Sequence, residues 1–438
     1  LNHRSYLTLA IPLIISTITT PLLGAVDTAV VGHLPDPAYI GGVAVGNIIF
    51  NTMYWLFGFL RVSTSGFTAQ AHGANNEIQG VLALTRPFFI AAVVGICFIL
   101  LQRPIEHLSL ALMNPEADVR TVASDYFSIR IWGAPFTLLN YVILGWLMGM
   151  SKIKVSLFIQ IFMNLMNIVL ALLFVSVFAW GVSGVAIATL ISEVTAFVIG
   201  MIFIWKVSPF EFRLPPFKEI VDSASFGKMM TVNRDLFIRT LCLLAVFNLF
   251  TAKGASFGTE VLAANAVLIQ IHYMMAYFFD GFANASSILV GKAVGAGDQR
   301  LYKKTLMLSC QWAVLSSFFI AVTYFLFGEY FIQLFTRIPH VIDLANTYGM
   351  WIALFPLSAS FGIILYGVFT GATEASSIRN SMILALMVYL IAHFTLVPIF
   401  HNHGLWLAFI VFSIGRSAFL AIFIPKLNRK LFTKAYNE

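Results

Sequence analysis

The chain has 438 residues, 59% of them hydrophobic and only 10% charged, where a soluble domain carries about 25% charged residues. Apolar runs long enough to cross about 30 Å of hydrocarbon recur along its whole length, so the composition excludes a soluble globular protein. The excess of 26 Lys+Arg over 19 Asp+Glu is sorted by loop rather than gathered in one patch, which argues against nucleic acid as a partner.

Twelve spanning helices are expected, at 5–32, 38–60, 82–101, 120–149, 155–177, 183–205, 229–252, 260–290, 304–327, 340–370, 378–399 and 404–425. The first apolar run continues as a full span, unlike a cleavable signal. Taking alternate connections, seventeen lysines and arginines fall on the amino-terminal side and four on the other. Positive charge stays cytoplasmic, so both termini are expected in the cytoplasm. Cys97, Cys242 and Cys310 all sit in apolar segments and make no disulfide framework.

In the first helix, "PLLGAVDTAVVGH" (21–33) sets Asp27 in a run with no other charge. A charge at a helix centre costs about 2.5–3.5 kcal/mol on insertion scales, so Asp27 needs a partner or a role. No basic residue lies near it in sequence; a partner has to come from another helix. A carboxyl held away from water and cations can exchange a proton near neutral pH, as proton-coupled transport requires. The structural alternative is an acid that only stitches helices together. Pro12 and Pro21 each remove an intrahelical hydrogen bond, so the helix is expected to hinge and carry Asp27 on its outer, swinging part.

The fourth helix offers Tyr126 and Asn140, and the fifth offers Gln160, Asn164 and Asn167 on one face. The sixth adds Thr189 and Glu193. Buried asparagines often act as packing glue worth about 0.6–2 kcal/mol; their clustering in the half that holds Asp27 favours a polar cavity instead. In the seventh helix, "NRDLFIR" (233–239) sets Asp235 and Arg239 four apart with Arg234 adjacent, an arrangement that predicts an intrahelical ion pair. Asp280, in "FFDGFANAS", is a further candidate ion partner, and "HNHG" (401–404) reads as an external loop rather than a metal site.

The chain also echoes itself at a shift of about 221 residues. "AQAHGANN" (69–76) answers "GKAVGAGD" (291–298), "LGWLMGMSK" (144–152) answers "YGVFTGATE" (366–374), and "SGVAIATLIS" (183–192) answers "HGLWLAFIVF" (403–412). Six helices per half in the same orientation predict parallel repeats with a substrate cavity between two rocking lobes; an old duplication without mechanical role is the alternative. The basic stretch 206–228 joins the halves, and "LPP" (214–216) cannot continue a helix. The expected lobes are 1–214 (helices 1–6) and 215–438 (helices 7–12).

These features together resemble the multidrug and toxic compound extrusion (MATE) transporters, and within them the DinF-like branch. The resemblance spans essentially the whole chain. It is carried by Asp27 fifteen residues after Pro12, "FTAQAHGA" after helix two, "NIVL" (167–170), "NRDLFIR", "LAANAVLIQI" (262–271), "DGFANA" (280–285) and "GKAVGAGD". It implies an all-α membrane protein of twelve helices in two pseudo-symmetric six-helix lobes around a central cavity. It also implies export of bulky amphipathic or cationic compounds in antiport with H⁺ or Na⁺, with no cofactor and no enzymatic activity. Carried over by position, Asp27 is the coupling carboxylate, Asn167 and Thr189 are its neighbours, and Tyr126 and Asn140 line the cavity. A monomer in a bacterial inner membrane, surrounded by lipid, is expected.

Two departures bear on the ion. Relatives often carry an acid four residues after the helix-five asparagine, where this chain has Ala171, and a glutamate in helix eight, where it has Ser287. Losing a hard oxygen ligand disfavours a metal cation and points to H⁺, with Na⁺ on neutral oxygens of Asn167 and Thr189 left open. A lipid-linked precursor flippase is the alternative of the same superfold. It calls for several cavity cations, and the first lobe offers mainly Arg130. A membrane enzyme calls for clustered acids, histidines or metal ligands at one membrane face, and no such cluster is visible in the sequence.

Overall fold

A computed structural model describes residues 1–20, 27, 30–31, 34, 36, 38–208 and 214–431. Pro21, expected above as a hinge, lies outside the described residues, as do Arg213 and Lys434, two of the seventeen basic residues counted on the amino-terminal side. The described chain is helical, without a strand. The helices are α1 (His3–Gly32), α2 (Pro37–Leu56), α3 (Phe59–Gly73), α4 (Glu77–Leu100), α5 (Gln102–Met113), α6 (Ala117–Arg130), α7 (Ala134–Gly149), α8 (Ile153–Leu172) and α9 (Val182–Val207). They continue as α10 (Phe217–Ile220), α11 (Ser223–Ala255), α12 (Thr259–Ala296), α13 (Gln299–Phe335), α14 (Pro339–Tyr348), α15 (Met350–Gly371), α16 (Ala375–Phe400), α17 (Asn402–Ile422) and α18 (Ile424–Phe432).

Among the described residues, 11 helical stretches are long and apolar enough to cross a membrane. The 30 residues of α1 add a twelfth helix of spanning length. The fold is that of an all-α, multi-pass membrane protein. Two expectations change. The second span runs on through α3 to Gly73 and the eighth continues to Ala296, so "FTAQAHGA" and most of "GKAVGAGD" are helix ends rather than loops; nothing in these segments lacks a backbone donor or breaks the ladder. The segments 102–113 and 339–348 form the separate short helices α5 and α14.

The sequence echoes have a shared physical content. Asn75 and Gly297 both sit at positive φ, 52° and 66°, where a helix ends in a left-handed residue. Asn76 and Asp298 follow them, and each side-chain Oδ1 accepts the backbone N–H of the residue three later, Gln79 and Leu301, as N-caps do. In the second pair, Ser151 and Thr373 share positive φ, 62° and 55°. The glycines ahead of them admit a neighbouring backbone. A Cβ on Gly145 would lie 2.4 Å from the Arg61 carbonyl oxygen, and one on Gly367 would lie 2.0 Å from that of Ala283. The same holds for Gly149 against Ser65 and for Gly371 against Ser287. Small residues at such crossings let membrane helices pack by close backbone approach.

By contact the chain divides into two compact units, Thr19–Met229 and Leu1–Ile18 with Met230–Glu438. In the latter, one face of α1 docks on α12. The Tyr6 hydroxyl lies 2.8 Å from Ser286 Oγ, and Thr17 Oγ1 donates to the Tyr277 carbonyl at 2.7 Å. Ile14 packs between them against Gly281, where a Cβ would come within 2.5 Å of the Ile14 backbone. Pro12 is half-buried, within the helix as assigned.

Candidate functional site

The site is built in the Thr19–Met229 unit by the crossing of α2 and α6. Asp36 caps α2, its carboxylate accepting the Ala38 N–H at 3.0 Å. Gly42 and Gly46 then face α6 one turn apart. A Cβ at these positions would lie 2.2 Å from Val122 and 2.3 Å from the Tyr126 ring, so only glycine allows this approach. It brings Asn47 beside Tyr126 and Arg130. Tyr126 donates its hydroxyl to Asn47 Oδ1 at 2.9 Å; Arg130 Nη1 donates to the same oxygen at 2.9 Å and to the Tyr126 hydroxyl at 3.0 Å. The guanidinium carbon sits 4.6 Å from the centre of the Phe50 ring, a cation–π contact worth about 0.5–2 kcal/mol. Arg130 occupies the last turn of α6, where the helix dipole favours a cation.

Glu193 on α9 approaches from the other side. It is 8% exposed, and its Oε2 lies where a Cβ on Gly133 would fall, 2.2 Å away. Oε2 has no hydrogen-bond partner among the described residues. The Glu193 backbone carbonyl accepts from Asn140 Nδ2 at 3.1 Å. One turn earlier Thr189 donates to Asn167 Oδ1 of α8 at 3.4 Å. Asp27 is 6% exposed, and its Oδ1 is likewise without a partner among the described residues. Arg130 acts electrostatically on both carboxyls, Asp27 and Glu193, and Tyr126 feels Asp27 as well as Arg130.

Of the expected cavity residues, Tyr126, Asn140, Asn167 and Thr189 are buried around this cluster. Gln160 and Asn164 are half-buried, two turns and one turn before Asn167 on α8. Arg130, on another helix, is a cation that acts electrostatically on Asp27. Glu193, singled out on the sixth span, comes under the same electrostatic influence of Arg130 as Asp27. Asn47 was missed altogether, although the spacing Gly42-xxx-Gly46 just ahead of it marks a close helix crossing. With both carboxyls ionised around one arginine, the trio carries a net negative charge. Binding one proton or one monovalent cation brings it to neutrality.

In the other unit, the expected Asp235–Arg239 pair is replaced. Asp235, 3% exposed at its side chain, binds Arg379 of α16 at 2.7 Å and Arg234 at 3.1 Å. Arg239 turns instead onto the face of Tyr366, its guanidinium carbon 4.2 Å from the ring centre. The packed α16 cation competes better for Asp235 than the neighbour one turn on. Asp280 is half-buried and acts electrostatically on Arg416 of α17. The "HNHG" stretch is a turn only at His401. Asn402 opens α17 and exchanges hydrogen bonds with Asn265 at 2.8 and 3.0 Å.

The MatE family model matches residues 12–173 and again residues 236–399, one match in each half of the chain. The chain belongs to the MatE family. The double match agrees with the internal echo. Among relatives of this MATE chain, DNA damage-inducible protein F of Escherichia coli (strain K12) is 36% identical over 413 residues, covering 94% of the chain and 90% of that protein. The multidrug resistance protein MdtK of Yersinia enterocolitica is 24% identical, covering 98% and 96%. The solved structure of a mutant of VcmN, a MATE transporter of Vibrio cholerae, is 16% identical with a TM-score of 0.88, covering 98% of each chain. This MATE chain is a membrane transporter, not an enzyme.

Proposed function

We propose that the chain is a proton-coupled multidrug exporter, in which protonation of Asp27 is exchanged for bulky amphipathic or cationic compounds. The observation that carries this reading is the pair of buried carboxyls, Asp27 and Glu193, each with one oxygen that has no hydrogen-bond partner among the described residues; with Arg130 acting electrostatically on both, one proton balances the trio. Asp27 lies on α1, whose first eighteen residues cluster with one unit and whose remainder clusters with the other. A change in its charge therefore acts on a helix shared by both. Bending of that helix at Pro12 and Pro21, with rocking of lobes 1–214 and 215–438, then alternates access. Both termini are cytoplasmic in this reading, in a bacterial inner membrane, and the working unit is a monomer. The substrate class is supported by the names of relatives such as MdtK.

Na⁺ coupling is the second reading, supported by Thr189 and Asn167, whose neutral oxygens lie 3.4 Å apart. Proteoliposomes separate the two. Under an imposed pH gradient, efflux of a cationic dye is expected from the wild type and not from Asp27→Asn. Efflux driven only by a Na⁺ gradient overturns proton coupling, and unchanged pH-driven efflux in Asp27→Asn overturns the role of that residue.

A further inference from the structure

Within the unit that contains α11 to α17, a groove of about 460 Å³ runs between α13 and α15. Phe318 and Phe325 stand on its α13 side, Trp351 and Leu357 on its α15 side, and the small side chains of Ala321 and Ala353 lie between them. Tyr324 holds the two helices apart at one end. A Cβ on Gly349, at the break between α14 and α15, would lie 2.6 Å from the Tyr324 hydroxyl, and one on Gly328 would lie 3.1 Å from its ring. One turn away from this wedge each helix carries an alanine, Ala321 ahead of Tyr324 and Ala353 after Gly349. A bulky side chain set beside two small ones leaves a furrow in a pair of helices that are otherwise in contact.

The contact of Tyr324 with Gly349 also sets the level of the groove. Phe325 and Trp351 adjoin that contact, and Phe318 and Leu357 lie at the far end, about 10 Å away at a rise of 1.5 Å per residue. The near end is at the membrane boundary. There the Trp351 indole N–H donates to Nδ1 of His403, in the first turn of α17, at 3.2 Å, and the Tyr348 ring lies 4.7 Å from that of His403; tryptophan and tyrosine gather at this level of a bilayer. The groove is continuous with the exposed apolar face that α13 presents at Val314, Phe319 and Leu326, the kind of surface that a spanning helix turns to lipid. A site for a drug carries a few placed polar groups. Here every lining side chain is apolar or aromatic, and the one N–H among them already donates to His403. Water would need two to four polar partners, and an empty furrow would forfeit its dispersion contacts. A hydrocarbon chain needs no partner and supplies those contacts.

We propose that this groove seats one acyl chain of a phospholipid from the leaflet on that side, with the headgroup level with Trp351, Tyr348 and His403. The seat goes beyond the exporter reading and stands whether or not Asp27 carries the coupled proton.

The test uses the full-length protein in phosphatidylcholine proteoliposomes that contain a trace of phosphatidylcholine with a mid-chain diazirine. After illumination, the labelled residues are mapped by mass spectrometry. Labelling of residues 318–325 and 350–357 is expected to exceed several-fold that of the exposed apolar face of α8 at Leu165, Val169 and Leu172, which reports ordinary boundary lipid. Ala321→Leu and Ala353→Leu fill the groove and are each expected to bring its labelling down to the α8 level, with α8 itself unchanged. Should a filled variant fail to fold, Phe318→Ala and Phe325→Ala decide, because these exposed side chains form the wall and their loss should remove the excess as well. Equal labelling of the groove and α8 in the wild type, or an excess that survives filling, overturns the seat. Selective loss of groove labelling on adding tetraphenylphosphonium makes the occupant a solute, and selective loss at high protein density makes it a second copy of the chain; either result overturns the lipid assignment.

Discussion

Gly46→Ala is the smallest change that should disable the candidate site without touching a polar atom. The added Cβ would lie 2.3 Å from Tyr126 Cδ1 and 2.8 Å from Cε1, against 3.4–4 Å for ordinary contact. The ring must retreat by about 1 Å or the helices must part, and Tyr126 is fully buried, with no free space to turn into. Overpacking of this kind costs about 1–3 kcal/mol. Moving the ring by 1 Å also stretches the 2.9 Å and 3.0 Å bonds to Asn47 and Arg130 beyond useful length. A bond to a charged group contributes about 1.5–3 kcal/mol. Thermal unfolding of the purified protein, read beside dye efflux from proteoliposomes, checks both effects. Gly46→Ala is expected to lower the unfolding temperature and to abolish most efflux, whereas Tyr126→Phe, which keeps the ring in place, should cost efflux with a smaller loss of stability. Wild-type stability and efflux in Gly46→Ala would refute the close crossing of α2 and α6.

The repeat makes a paired prediction: Gly145→Ala and Gly367→Ala should both destabilise by about 1–3 kcal/mol, since each new Cβ meets a carbonyl oxygen at 2.4 Å or less. Gly227→Ala, with nothing within 4 Å, should stabilise by up to about 1 kcal/mol through helix propensity; differential unfolding in detergent reads all three. A pH effect is expected at α18. Burial pushes the Glu374 carboxyl up, but hydrogen bonds from Lys430 and Ser376 outweigh it and hold the group below its ordinary range. A lowered folded-state value means that the stabilisation is fully present once an unfolded glutamate is ionised, above about pH 5–6, and is lost as the pH falls below the ordinary glutamate range. Protection of residues 424–431 against hydrogen exchange, taken relative to the intrinsic rate at each pH, should therefore fall on acidification in the wild type and be low already at neutral pH in Glu374→Gln.

Most of the architecture was legible because its signals are local. Apolar length marks the spans, and the echo at 144–152 and 366–374 encodes the same left-handed turn and the same backbone approach in both halves. Asp27 stood out because nothing near it in sequence explains a charge. Its surroundings were harder to read, since Arg130, Glu193 and Asn47 come from three other helices and meet only after α2, α6 and α9 cross. Residues four apart also misled at Asp235, where spacing predicted Arg239 as the partner and tertiary contact with Arg379 prevailed. Ahead of Gly73 and Ala296 polar composition predicts a loop, yet the backbone ladder continues to both residues.

The most direct test of the central claim is proton release on substrate binding. Ethidium is added to the purified protein in weakly buffered detergent solution, and the pH is followed with an indicator dye. If Asp27 holds the exchangeable proton, the wild type releases about one proton per bound ethidium and Asp27→Asn releases none while still binding the dye. Undiminished release from Asp27→Asn, or release that requires Na⁺ in the wild type, would contradict the account.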